Sequence, residues 1–205
     1  MAYQLVYFPG PGRADIIKLI AEHCAIPYEF KSISFEDGSW TSTQPNTRYG
    51  QLPSLKVDED FTLYQTIPIA RFLAKQANFH PTDERNQAIL EECVSAIDEL
   101  TNHVIRIVYF TSEDKKEEER VKFQNGWLKL IMKGLNSHLI KNNGNLVPGG
   151  LSWADLYLYD LLSYLDLYRF EVVVDDSKLE TLKANVLKSE RVKAYLESPR
   201  NLKKH

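Results

Sequence analysis

The residues of this chain that could do chemistry are few, and their spacing rules out several reactions. His23, His80, His103, His138 and His205 are scattered, with neither an HExxH nor a CxxC pattern, so no metal site is expected. There is no GxSxG elbow and no GxxxxGK[ST] loop, and Gly10-Pro11-Gly12 does not extend to a dinucleotide fingerprint. Acyl transfer, nucleotide hydrolysis and dinucleotide chemistry therefore lose support. At the end of the first strand, Tyr7-Phe8-Pro9-Gly10 stands where a thioredoxin-like arrangement could carry a redox CxxC, and no thiol is there. If this segment handles sulfur, the sulfur arrives with a ligand. Leu151-Ser152-Trp153-Ala154-Asp155-Leu156 reads as structure rather than chemistry. Ser152 is a helix N-cap, Asp155 sits at the third helical position, and Leu151 can staple onto Leu156.

The elements that hold these residues differ between the two parts of the chain. Gln4–Phe8 is a short β-prone run closed by Pro9-Gly10-Pro11-Gly12. From Arg13, Ile16, Ile17, Leu19, Ile20 and Ala21 fit a buried helix that Pro27 ends. Tyr28–Phe35 alternates with period two, and a polar loop, Glu36–Gln51, carries Trp40. Leu55–Val57 and Phe61–Tyr64 form a hairpin about Asp58-Glu59-Asp60, and a last helix opens at Thr66 with Pro68 in its first turn. A parallel crossover followed by a hairpin makes the sheet mixed and four-stranded.

From Asn78 the language becomes helical. Ile89, Cys93, Ile97, Leu100, Val104 and Ile107 step by three or four residues along a long amphipathic helix. The charge run Glu113–Arg120 reads as a solvated turn and helix start. Phe123, Trp127, Leu130, Ile131, Leu135 and Leu139 form a second apolar stripe, and the stretch from Ser152 to Tyr168 is apolar nearly all round. The reading is an α/β thioredoxin-like domain at 1–77, a linker at 78–83 and an all-α domain at 84–205.

Composition bounds the partners. The chain has 205 residues, of which 25 are Lys or Arg and 28 are Asp or Glu, giving a net charge of -3 without the basic excess that nucleic acid requires. The longest run free of charge, Asn142–Ala154, is rich in Asn, Gly and Pro and falls short of the ~18 apolar residues of a membrane span, so no membrane partner is expected. MAYQLVYFPGPGR does not read as a secretory signal. Cys24 and Cys93 are the two cysteines, and no Asn-x-Ser/Thr acceptor occurs, which together point to a reducing, cytoplasmic home.

Several motifs resemble the cytosolic glutathione transferases. They are Tyr7-Phe8 with Gly12-Arg13-Ala14, Tyr49-Gly50-Gln51-Leu52-Pro53, the segment Leu63–Leu73, and Leu151–Asp155, which together span essentially the whole chain in order. The Trp40-to-Gly50 spacing with IARFLAK and SWAD looks most like the sigma class, whereas YFP, YGQLP, LTLYQ and Ile105–Tyr109 look like the pi class. The resemblance implies reduced glutathione as co-substrate, no metal, and a homodimer that conjugates the glutathione thiolate to small hydrophobic electrophiles in detoxification.

It also implies roles for particular residues. Tyr7 matches the tyrosine whose hydroxyl donates to the glutathione sulfur, and Arg13 the nearby cation. Leu52, before what the family has as a cis-proline at Pro53, would pair its backbone with the cysteinyl amides. Gln65 and Thr66 would hold the γ-glutamyl carboxylate at a helix start. Trp40 and Gln44 would take the glycyl carboxylate, with Gln44 replacing a common lysine at a cost of ~1 kcal/mol in an exposed site, and Gln51 would line the tripeptide. Glu99 matches an acidic residue that reaches the ligand's amino group across a dimer interface, with Asp98 in reserve. Phe8, Ile105 and Tyr109 match the acceptor side. Two other functions share these residues: a glutathione-dependent isomerase such as a prostaglandin synthase, and a non-catalytic ligand-binding or crystallin-like relative.

Overall fold

A computed structural model describes residues 3–175 and 177–202. Strand β1 (Tyr3–Tyr7) lies at the heart of a four-stranded sheet in the order β2-β1-β3-β4. It pairs in parallel with β2 (Tyr28–Ser32) and antiparallel with β3 (Ser54–Lys56), placing Leu5 between Phe30 and Leu55, and β3 turns back into β4 (Thr62–Tyr64). The hairpin is closed by Asp58, whose carboxylate accepts from the backbone N–H groups of Asp60 and Phe61.

Helix α1 (Asp15–His23) crosses between β1 and β2, and its residues Asp15–Ala21 are all buried. It ends as Ala25 turns left-handed at φ 56, with Ile26 N–H returning to Ala21 C=O at 2.8 Å, two residues before Pro27. The strand expected over Tyr28–Phe35 stops at Ser32, and the expected loop contains a short helix. Gly38 at φ 74 and the Asp37 carboxylate, which accepts from Ser39 N–H at 2.8 Å, start α2 (Ser39–Thr43) and thereby bury Trp40. Helix α3 (Thr66–Gln76) opens where Pro68 allowed it to.

The helical part begins with α4 (Glu84–Phe110), capped by Asp83 and burying the stripe Cys93, Ile97, Leu100, Val104 and Ile107. The charge run becomes α5 (Glu113–Phe123). A wide π-type turn, Gln124–Leu128, with Gly126 at φ -103 and ψ -109, then leads to α6 (Lys129–Lys141). This turn corrects the second stripe. It adds a residue to the helical repeat, so Phe123 is followed inward by Leu128, Met132, Leu135 and Leu139, while Trp127 and Leu130 are 57% and 63% exposed. Helix α7 (Trp153–Leu167) is buried through most of its length, and α8 (Leu179–Leu187) and α9 (Glu190–Glu197) complete the chain.

By its contacts the chain divides into two compact units, one of Met1–His80 with Ser189–His205 and one of Pro81–Lys188. The sequence assigns everything from 84 onward to the helical domain, whereas α9 packs on α1 and groups with the sheet. Arg200 holds Glu22 through two hydrogen bonds at 2.6 and 3.0 Å, and His23 meets Ser189 at 2.9 Å.

The Ser152–Asp155 capping box is present and wholly enclosed. Asp155 accepts from Leu146 N–H at 2.6 Å and from the Ser152 N–H and hydroxyl at 2.7 Å each. These bonds favour the carboxylate, but burial outweighs them and pushes its pKa up to about 6. Because the folded value lies above the unfolded one, this group's contribution to stability is fully present below about pH 4 and lost as pH rises through about 6. Carboxyl NMR is expected to place the Asp155 midpoint near pH 6; a midpoint near 4 would mean the three donors win.

Candidate active site

Tyr7 is the last residue of β1, so its side chain stands at the carboxyl edge of the sheet, where the Pro-Gly loop leaves it half-open. Its ring joins a cluster with Phe8, Ile33, Trp40 and Leu52. Phe8 meets Tyr7 edge-on at 5.5 Å and Trp40 at 5.1 Å, and Phe8 stacks on the exposed Phe35 at 5.0 Å. The Tyr7 hydroxyl oxygen accepts from Arg13 N–H at 3.0 Å. A phenol that accepts there still carries its own O–H, made a stronger donor by the bond it receives.

The same loop reaches a second expected residue. The Thr66 hydroxyl donates to Arg13 C=O at 3.1 Å, so Tyr7, Arg13 and Thr66 form one hydrogen-bonded set, with Thr66 buried at the start of α3. Just before it, Gln65 holds φ 72 and ψ 136, a backbone strain of about 1–3 kcal/mol for a residue with a side chain. Gln65 donates from its amide to Gln51 Oε1 at 3.1 Å, and α3 presents its first N–H groups beside them. The Leu52–Pro53 peptide is cis, with both residues buried. Gln44 donates to Gly50 C=O at 3.3 Å and is exposed.

The first unit thus brings together Tyr7, Phe8, Arg13, Trp40, Gln44, Gln51, Leu52, Pro53, Gln65 and Thr66 on neighbouring loops and element ends. Sequence reasoning passed over Gly12's part and Asp15. A Cβ on Gly12 would lie 2.6 Å from the Tyr7 hydroxyl, and Gly12 N–H donates to the Asp15 carboxylate at 2.8 Å. The spacing Gly-x-x-Asp ahead of an apolar helix was the available signal. Gly12→Ala is expected to push the hydroxyl aside and lower by about an order of magnitude any activity that uses it. Steady-state rates alongside a thermal melt check this, and an unchanged rate would show that the ring moves without consequence.

In the second unit, Glu99, Ile105 and Tyr109 lie on α4. Ser95, Asp98, Glu99, Asn102, His103 and Arg106 line one shallow groove along that helix. Asp98 accepts from the buried Tyr157 hydroxyl at 2.9 Å and from the Asn102 amide at 3.1 Å, which ties it to α7, whereas Glu99 is exposed. Tyr109 has two tyrosine partners. Its hydroxyl lies 2.6 Å from that of Tyr168 and accepts from Tyr164 at 3.3 Å, and burial holds the Tyr164 phenol well above its usual range. Tyr164 and Tyr168 carried no sequence signal, because tyrosines on a mostly buried helix read as core.

Among the described residues no group of three or more His, Cys, Asp or Glu is arranged to hold a metal ion, and no helix is long and apolar enough to cross a membrane. Cys24 and Cys93 are free thiols, which burial raises to about 11 and about 12.

Comparison with known proteins adds a family to this geometry. A model of the glutathione S-transferase C-terminal domain matches residues 98–199. The chain is 26% identical over 195 residues to a glutathione S-transferase of Anopheles gambiae, covering 95% of each protein. It is 30% identical over 167 residues to the hematopoietic prostaglandin D synthase of Mus musculus, covering 78% of this chain and 77% of that protein. Its fold is similar to the crystal structure of a monomeric glutathione S-transferase from the hookworm Necator americanus, with a TM-score of 0.86, 25% identity and coverage of 97% and 98% of the two chains.

Proposed function

We propose that this chain, which belongs to the glutathione S-transferase family, binds reduced glutathione in its first unit and conjugates the glutathione sulfur to hydrophobic electrophiles, in a detoxifying role in the cytoplasm. The observation that carries this reading is the hydrogen-bonded set of Tyr7, Arg13 and Thr66 at the sheet edge. A thiol with pKa near ~8.5 is only about 3% thiolate at neutral pH, and the thiolate is the nucleophile. Lowering that pKa by ~2 units, roughly 2.7 kcal/mol, makes the sulfur mostly anionic. One hydrogen bond donated by the Tyr7 O–H to the thiolate, together with the cation that the resemblance assigns to Arg13, is of that size.

The residue roles that the resemblance implies are proposed with it. Leu52 would pair its backbone with the cysteinyl part of the tripeptide, beside Pro53. Gln65, Thr66 and the α3 start would take the γ-glutamyl carboxylate, Trp40 and Gln44 the glycyl end, and Gln51 would line the tripeptide. Glu99 would act on the site of a partner subunit, which makes the reading dimeric. Phe8, Ile105 and Tyr109 would meet the electrophile. With chlorodinitrobenzene as acceptor, the sulfur's proton passes to water, a carbon–sulfur bond forms at the ring, and the carbon–chlorine bond breaks with release of chloride.

The test is conjugation to chlorodinitrobenzene at neutral pH, read as absorbance of the thioether. A rate well above the uncatalysed one is expected, and a rate equal to it would overturn the reading. The likeness to a prostaglandin D synthase supports a second reading, isomerisation of a lipid endoperoxide with glutathione present. Turnover of that endoperoxide without turnover of aryl halides would favour it.

A further inference from the structure

Two charged residues of α1 that the proposed chemistry does not use are buried. Lys18 is 2% exposed and Asp15 5% exposed, and their charged atoms lie 3.5 Å apart. The Lys18 ammonium has no hydrogen-bond partner among the described residues and sits 4.2 Å from the centre of the Phe30 ring on β2. Enclosing two charges is costly, and replacing such a pair with apolar side chains is often neutral or stabilising, so stability alone is a weak reason for it.

Its connections supply a better reason. Asp15 Oδ2 accepts from Gly12 N–H at 2.8 Å while Asp15 N–H donates to Gly12 C=O at 3.0 Å, so the carboxylate and its backbone clamp the loop from both sides. The next residue along that loop, Arg13, gives its N–H to the Tyr7 oxygen and its C=O to the Thr66 hydroxyl. Asp15 Oδ1 faces Lys18. We infer that Asp15 and Lys18 are positioning residues: the buried ammonium lies against the Asp15 carboxylate, the carboxylate holds Gly12 N–H, and the loop so fixed delivers Arg13 N–H to the Tyr7 hydroxyl. An N–H aimed into that oxygen strengthens the phenol's own donation, so the pair sets how far Tyr7 can lower the thiol pKa. This inference rests on the proposed function for its effect on rate, but the placement of the loop stands without it.

The experiment uses the full chain with Lys18→Met, Lys18→Arg and Asp15→Asn. Two readouts are compared: the pH profile of kcat/KM for glutathione conjugation, and hydrogen exchange at the Gly12 and Arg13 amides. In Lys18→Met and Asp15→Asn the acid limb of the profile is expected to move up by about half a pH unit or more, with a three- to tenfold lower rate near pH 6.5 and little change at high pH, where the thiol ionises unaided. Lys18→Arg, which keeps the charge, is expected to restore most of the native limb. Exchange at the two amides should quicken in Lys18→Met.

An unmoved limb in folded Lys18→Met or Asp15→Asn overturns the inference, as does a limb equally displaced in Lys18→Arg. If Lys18→Met does not fold, Asp15→Asn decides, since it keeps an oxygen for Gly12 N–H and removes only the charge. Failure of both to fold makes the pair merely structural and also overturns it. If the native protein conjugates nothing, the functional reading has failed separately, and amide exchange alone then decides: faster exchange sustains the loop-positioning role, and unchanged exchange removes it.

Discussion

Replacing Tyr7 by phenylalanine is expected to lower kcat/KM for glutathione conjugation by about 10- to 100-fold near pH 6.5, a loss of roughly 1.4–2.7 kcal/mol. The ring stays, with its edge-on contact to Phe8 at 5.5 Å and its place beside Trp40 and Leu52, so the fold is expected to survive. Only the hydroxyl goes, and Arg13 N–H, at a half-open position, can turn to water. The loss should shrink as pH rises above ~8.5, because the thiol then ionises without help. The KM for glutathione should move much less than kcat, since the tripeptide would be held elsewhere, by Leu52, Gln65 and Thr66. Steady-state rates from pH 6 to 9 check this. Equal rates for the two proteins across that range would remove Tyr7 from the chemistry while leaving the family assignment intact.

The second large effect concerns stability. Asp155→Ala is expected to cost about 3–5 kcal/mol, because it strips the acceptor from three enclosed donors, the N–H groups of Leu146 and Ser152 and the Ser152 hydroxyl. In a chain of this size that is roughly a 10 °C fall in Tm. Ser152→Ala, which deletes one donor and the cap but leaves two bonds to Asp155, should cost only about 1–2 kcal/mol. The contrast is the informative part. Chemical denaturation of both variants measures it, and a cost below about 1 kcal/mol for Asp155→Ala would show that water enters and takes over the three donors. The conjugation rate per folded molecule should be close to native in both.

Much of the architecture was legible because local chemistry announces itself. Pro9-Gly10-Pro11-Gly12 ends β1, Pro27 follows the end of α1, Pro68 is tolerated at the start of α3, and Ser152 with Asp155 opens α7. The candidate site was legible to the extent that its residues sit at such punctuation marks. What escaped were features set by tertiary context. Trp40 lies in a segment of polar and turn-forming residues, and α2 forms there because Asp37, Gly38 and Ser39 organise its start. The π-type turn at Gln124–Leu128 shifts a helical stripe by one position, which a constant period cannot foresee. The enclosure of Lys18 and Asp15 escaped because single lysines and aspartates are almost never fully enclosed unless paired, and pairing is not visible in one chain of letters. An amphipathic stripe on α9 says that one face is covered but not by what.

That α9 covers α1 has a consequence for the order in which the molecule is assembled. Arg200 and Glu22 meet across 178 positions of chain, and the whole helical unit is made between them. The sheet, α1 and the Tyr7 loop emerge from synthesis before the helical unit, yet one flank of α1 waits for residues that emerge after it. Closing so long a loop is entropically slow, and the waiting flank is a place where nascent chains can associate. The unit that carries the proposed chemistry is therefore begun before the helical unit and finished after it, and competence should appear only when α9 has docked.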